Sequence, residues 1–182
     1  GIKFFNFKEV KNLKKIQKNF DQIINNKNQV INSLTKNYVY SFKKKQLKKY
    51  KKFSNFRLIG MGGSVLGTQT IYEFLKHKIK KNFVFVDNLQ KTRAKSKKKI
   101  MNLIVSKSGN TIETIVNSNI FIKTKDKNIF ITENKKNYLF YLAEKLKAEI
   151  IHHNNFIGGR YSVLSEVGML PAELMGLNIN KF

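Results

Sequence analysis

Three hydroxyls fall within six residues at Ser106, Ser108 and Thr111, with Lys107, Gly109 and Asn110 between them. The apolar run before them, Asn102-Leu103-Ile104-Val105, reads as a buried parallel strand, and Thr111 to about Phe121 reads as a helix. The hydroxyls therefore sit on a tight loop at a helix N-terminus. A helix start carries unpaired backbone N–H groups and the positive end of the macrodipole, which favours an anion. Ordinary capping by Ser108 or Asn110, with Glu113 closing a box from Asn110, needs one such residue and not three. The loop also lacks the glycine–lysine–serine ending of a nucleotide-binding P-loop, which leaves a phosphate carried by a small molecule.

Two further loops carry chemistry-bearing residues after a strand. Gly60-Met61-Gly62-Gly63-Ser64 follows the apolar Phe56–Ile59 and invites a dinucleotide reading, with Asp87 where a ribose-binding acid would stand. The fingerprint fails at Val65, whose side chain occupies the place of its third glycine. Close approach to another ligand is the better account of these glycines. Gly158-Gly159-Arg160 places a guanidinium, always charged and planar, behind two glycines, where it suits a phosphate or a developing oxyanion. His152 and His153 are expected to face the sheet's cover and solvent, one each. Glu113, Glu133, Glu166 and Glu173 are expected on helix surfaces or as caps.

The elements that must position these loops alternate in type. Strands are predicted at 56–61, 82–87, 103–105, 128–132 and 149–152, with helices over 65–75, 111–121 and 138–147. That alternation means βαβ units and a parallel sheet covered on both faces, with ligands outside the carboxyl ends of the strands. The fold class is α/β: a flavodoxin-like three-layer αβα sandwich on a five-stranded parallel sheet. An N-terminal helical arm precedes it. One amphipathic helix is predicted over Lys8 to about Leu34, broken around Asn25 to Asn28, and a second over Tyr40 to Tyr50. The expected boundaries are 1–52 for the arm, 53–160 for the sheet domain, and 161–182 for two helical pieces interrupted by Pro171. The apolar final stretch, with no second layer to receive it, suggests a piece of a longer protein.

Composition narrows the class further. The 182 residues carry a net charge of +25 and no cysteine, which excludes a disulfide framework and a thiolate metal site. No apolar run is long enough to span a bilayer and no signal-peptide pattern opens the chain, so a cytoplasmic protein without membrane contact is expected. Neither metal nor cofactor is expected. The charge would suit a nucleic-acid binder, yet it is spread along the chain with many Asn, Ile and Phe, all of A/T-rich codons. Lys43-Lys44-Lys45 and Lys97-Lys98-Lys99 read as solvated faces, no nucleic-acid partner is expected, and a general pull on anionic substrates remains.

Taken together, Gly60-Met61-Gly62-Gly63-Ser64-Val65-Leu66-Gly67, Ser106 to Thr114 and Gly158-Gly159-Arg160-Tyr161-Ser162-Val163-Leu164-Ser165 closely resemble the glucose-6-phosphate isomerase family, over about Arg57 to Asn178. The resemblance implies a sugar isomerase (SIS) domain and reversible conversion of glucose 6-phosphate to fructose 6-phosphate through a cis-enediol. It implies that Ser106, Ser108 and Thr111 hold the substrate phosphate, with Lys107 contributing through its backbone. Gly63 and Ser64 would lie along the sugar phosphate, and Arg160 would stabilise the enediolate, whose charge develops only in the transition state. Members of the family take a glutamate base, a histidine and a lysine from a second domain and the C-terminal segment. The 182 residues are thus expected to lack the base and to be inactive alone, the full-length protein being a homodimeric isomerase. The competing reading is a non-catalytic phosphosugar-binding regulatory module.

Overall fold

The computed structural model describes residues 13–26, 28–35, 37–90 and 99–182. The part of the predicted first helix before Leu13, and Lys97 and Lys98, lie outside them. The chain divides into two compact units, one ending at Tyr38 and the other running from Val39 to Phe182. The first holds α1 (Leu13–Ile24) and the short α2 (Gln29–Asn32), separated at the predicted break; Asn28 caps α2 by accepting from the N–H of Val30.

The second unit carries the sheet. Five parallel strands, β1 (Asn55–Ile59), β2 (Asn82–Val86), β3 (Ile100–Val105), β4 (Lys127–Thr132) and β5 (Glu149–His152), lie in the order β2-β1-β3-β4-β5. That is the flavodoxin-like order. β3 and β4 are apolar throughout most of their length because both their faces are covered. Met101, Leu103 and Val105 enter one core with residues of α4 (Leu66–Phe74) and α7 (Glu166–Met175), including Ile71, Val167 and Leu170. On the opposite face, Ile104 and Phe130 pack with Phe121 of α5 (Ile112–Phe121) and with Leu139 and Ala143 of α6 (Tyr138–Lys145). A row of buried polar residues, Arg57, Asn102 and Asn128, crosses three strands at one register, with Arg57 donating to Asn102 at 3.2 Å and stacking over Phe121.

Two expected boundaries move. The stretch 39–52 belongs with the sheet, because Phe42, Leu47 and Tyr50 are buried in its core; only α3 (Lys44–Leu47) and a 3-10 turn form where a longer helix was predicted. Residues 161–182 likewise belong to the same unit, since α7 is buried along its whole length. Pro171 does not interrupt that helix. Its missing N–H would have bonded the Val167 carbonyl, and the buried Thr68 hydroxyl of α4 donates to that carbonyl instead, at 3.0 Å. Among the described residues no helix is long and apolar enough to cross a membrane.

Candidate functional site

In a sheet ordered 2-1-3-4-5 the chain turns in opposite directions after β1 and β3, which opens a crevice outside their carboxyl ends. Residues 60–64 and 106–111 are the two loops that flank it. Ser106 continues β3 by donating its N–H to the Ile131 carbonyl, 3.1 Å away, and its side chain is buried. Its Oγ stands 3.0 Å from the Thr111 Oγ1 and accepts the Gly109 N–H at 3.2 Å. Gly109 has φ of +66°, and a Cβ there would lie 2.0 Å from the Oδ1 of Asn137, so glycine is required on both counts.

Thr111 is the N-cap of α5 by position, with φ of −66° and ψ of 118°, but its side chain makes no capping bond. The box expected from Asn110 does not form either. Asn110 instead accepts the Tyr138 N–H at 3.0 Å, and Ser108 accepts the Asn110 N–H at 3.3 Å. The first turn of α5 thus keeps its backbone donors, with Ser106 and Thr111 hydroxyls at its mouth. Lys107 is spent elsewhere: its Nζ donates to the Asn155 carbonyl at 2.6 Å and pairs with Glu133 at 3.6 Å.

The third loop comes in from β5. Gly63 and Gly159 meet so closely that a Cβ on Gly63 would lie 2.3 Å from the Gly159 carbonyl oxygen and 2.8 Å from the Arg160 nitrogen. Gly62 and Ser64 share the 3-10 turn with Gly63, and Ser162 closes the opposing turn by donating to Gly159 at 2.6 Å. Arg160 itself is exposed, and its guanidinium has no partner among the described residues. Lys107 to Asn155 and Gly63 to Gly159 are the contacts that tie the three loops together. Val65, where a dinucleotide site needs glycine, is fully buried in the core.

Beside this corner the buried groups differ from expectation. Glu166 and Glu173 are not on a helix surface. Glu166 is fully buried and accepts the Ser41 N–H at 2.9 Å; Glu173 pairs with Lys51 at 2.7 Å. His153 is the buried histidine, its ring nitrogen 3.1 Å from the Asn154 carbonyl, while the half-buried His152 accepts the Asn134 N–H. Burial holds the His153 ring below the ordinary histidine range, with Lys107 adding to the effect and Asn154, Glu166 and Glu133 opposing it.

The phosphoglucose isomerase family model matches residues 10–181. The chain belongs to that family. It is 38% identical over 151 residues to a glucose-6-phosphate isomerase of Methanocaldococcus jannaschii, covering 74% of this chain and 37% of that protein. To the enzyme of the same name from Acholeplasma laidlawii it is 36% identical over 146 residues, covering 68% of this chain and 34% of the relative. The chain thus spans little more than a third of the length of these relatives. Among solved structures, a hypothetical protein of Thermus thermophilus superposes with a TM-score of 0.66 at 26% identity, over 75% of this chain and 37% of that one. The NanR protein of Vibrio vulnificus, solved with ManNAc-6P, shares the fold at a TM-score of 0.52 and 17% identity, over 74% of this chain and 53% of its own.

Thr132 and Asn137, which the sequence analysis does not single out, lie against the 106–111 loop, Thr132 donating to the Lys107 carbonyl at 3.3 Å and Asn137 donating to Thr132 at 3.2 Å. Asn137 is readable as a helix cap, since it precedes the apolar start of α6 and accepts the Phe140 N–H. Nothing local signals that it also lies against Gly109.

Proposed function

We propose that the crevice between β1 and β3 binds the phosphoryl group of glucose 6-phosphate or fructose 6-phosphate, as part of an aldose–ketose isomerase. Ser106, Ser108 and Thr111 supply hydroxyls, and Lys107 takes part through its backbone while its ammonium holds the neighbouring loop. Gly63 and Ser64 line the sugar, and Arg160 stabilises the enediolate. The observation that carries the reading is the uncapped start of α5, which keeps directed donors where Ser106 and Thr111 converge. A fixed set of donors of this kind stabilises an anion without reorganising around it.

The proton-transfer step is placed outside these residues, a reading that the engagement of three of their carboxylates supports. Isomerisation moves a proton between adjacent carbons and needs a base free to reach them. Glu166 is buried under Ser41, Glu173 pairs with Lys51, and Glu133 pairs with Lys107 and Lys135. In this reading the whole protein is a cytoplasmic homodimer acting in glycolysis and gluconeogenesis, and the 182 residues alone bind substrate without converting it.

Calorimetric titration with 6-phosphogluconate, an anionic substrate mimic, tests the binding. Ser106→Ala is expected to weaken it about tenfold or more, because a hydrogen bond to a charged group is lost. Binding of equal strength in the variant would contradict the assignment.

A further inference from the structure

A loop that binds a phosphoryl group through its backbone must be held in the orientation that exposes a donor. The Lys107 carbonyl is pinned by two groups, the Glu133 N–H at 3.1 Å and the Thr132 hydroxyl at 3.3 Å. Thr132 is fully buried at the end of β4, and its oxygen in turn accepts from the Nδ2 of Asn137 at 3.2 Å. Because that amide can only donate from Nδ2, it occupies a lone pair of the Thr132 oxygen and leaves the hydroxyl proton to go to Lys107. The chain of bonds has one direction: Asn137 to Thr132 to the Lys107 carbonyl.

A trans peptide is planar, so its N–H points opposite to its carbonyl. Holding the Lys107 carbonyl against β4 therefore turns the Ser108 N–H away from β4, and no described residue accepts from that N–H. Asn137 is also seated for this task. Its Oδ1 accepts the Phe140 N–H at 2.9 Å, which caps α6, and it fills the space a side chain on Gly109 would need. Leu139 closes the contact by donating its N–H to the Gly109 carbonyl at 3.1 Å.

We propose that Asn137 is a positioning residue that, acting through Thr132, sets the Lys107–Ser108 peptide so that the Ser108 N–H faces the phosphoryl group of the ligand. The inference rests on the phosphate-binding reading of residues 106–111.

The 15N-labelled chain titrated with 6-phosphogluconate tests it, with the Ser108 amide followed by NMR and the thermal midpoint recorded beside it. Asn137→Ser keeps a capping oxygen and adds no charge, but is too short to donate to Thr132. Thr132→Val removes the relay and keeps its shape. Each is expected to weaken binding about tenfold and to shrink the Ser108 shift. The double variant is expected to bind about as the singles do, since both break one chain of bonds. A merely structural role would instead lower the midpoint with the affinity of the folded chain unmoved. Variants that bind as tightly as the parent overturn the role of Asn137 and leave the phosphate site standing. A folded parent whose loop amides stay unmoved at saturating ligand removes the phosphate site, and the positioning role with it.

Discussion

At the scale of residues, His153 gives the corner its pH response. Its ring is buried, so the charged form is disfavoured in the folded chain; the neighbouring Lys107 adds to this, while Asn154, Glu166 and Glu133 oppose it without reversing it. Below the ordinary histidine value of 6.5 the unfolded chain takes up a proton that the folded chain refuses. Stability therefore rises with pH through that window and is lost as the pH falls from 6.5 toward the depressed folded value. Thermal midpoints measured from about pH 8 down to about pH 5 are expected to decline on the acid side, and His153→Gln to flatten that decline; an unchanged decline would contradict the burial argument. The hydroxyls of Ser106 and Thr111 were legible from type and spacing alone, because a strand–loop–helix junction has few places for them to go. The burial of Glu166 was not. Its partner is the N–H of Ser41, 125 residues away, and no local pattern carries a contact of that range.

At the scale of elements, α7 shows how a helix keeps a proline. The carbonyl of Val167, freed by Pro171, is inside the protein, and an unsatisfied acceptor there costs about 1–3 kcal/mol. Thr68 removes that cost by donating to it from α4, and in doing so fastens α7 to α4. Thr68→Val is expected to destabilise the fold by about that amount in urea unfolding. In a Pro171→Ala background the backbone N–H returns to Val167, so the same Thr68 substitution is expected to cost clearly less; equal costs in both backgrounds would contradict the pairing. The period of apolar residues located β5 as observed and the other strands to within a few residues. It could not see that Pro171 is tolerated, because the compensating hydroxyl comes from another element. For the same reason 39–52 and 161–182 were assigned away from the sheet: their apolar faces are plain in sequence, but which surface receives them is set by packing at long range.

At the scale of the whole molecule, a net charge of +25 gives any anion a reason to approach and no reason to choose a place. Two places compete. A cavity of about 1020 Å³ opens at the amino ends of β4 and β5, bordered by five lysines, among them Lys49 and Lys125, and by Asp126 and Glu149, whose carboxylate pairs with Lys49 at 2.8 Å. Lysine ammoniums on flexible stems are point charges with little directional preference. The crevice at the carboxyl ends of β1 and β3 offers fewer charges but fixed donors, the start of α5 and the paired hydroxyls of Ser106 and Thr111. Directed donors held by the fold bind a phosphoryl group with geometry that screened surface charge cannot supply. The crystal structure of the chain grown with 6-phosphogluconate decides between them most directly. The phosphoryl group is expected against Ser106, Ser108 and Thr111 with the sugar acid running toward Arg160; a ligand seated only in the lysine-bordered cavity would contradict the account.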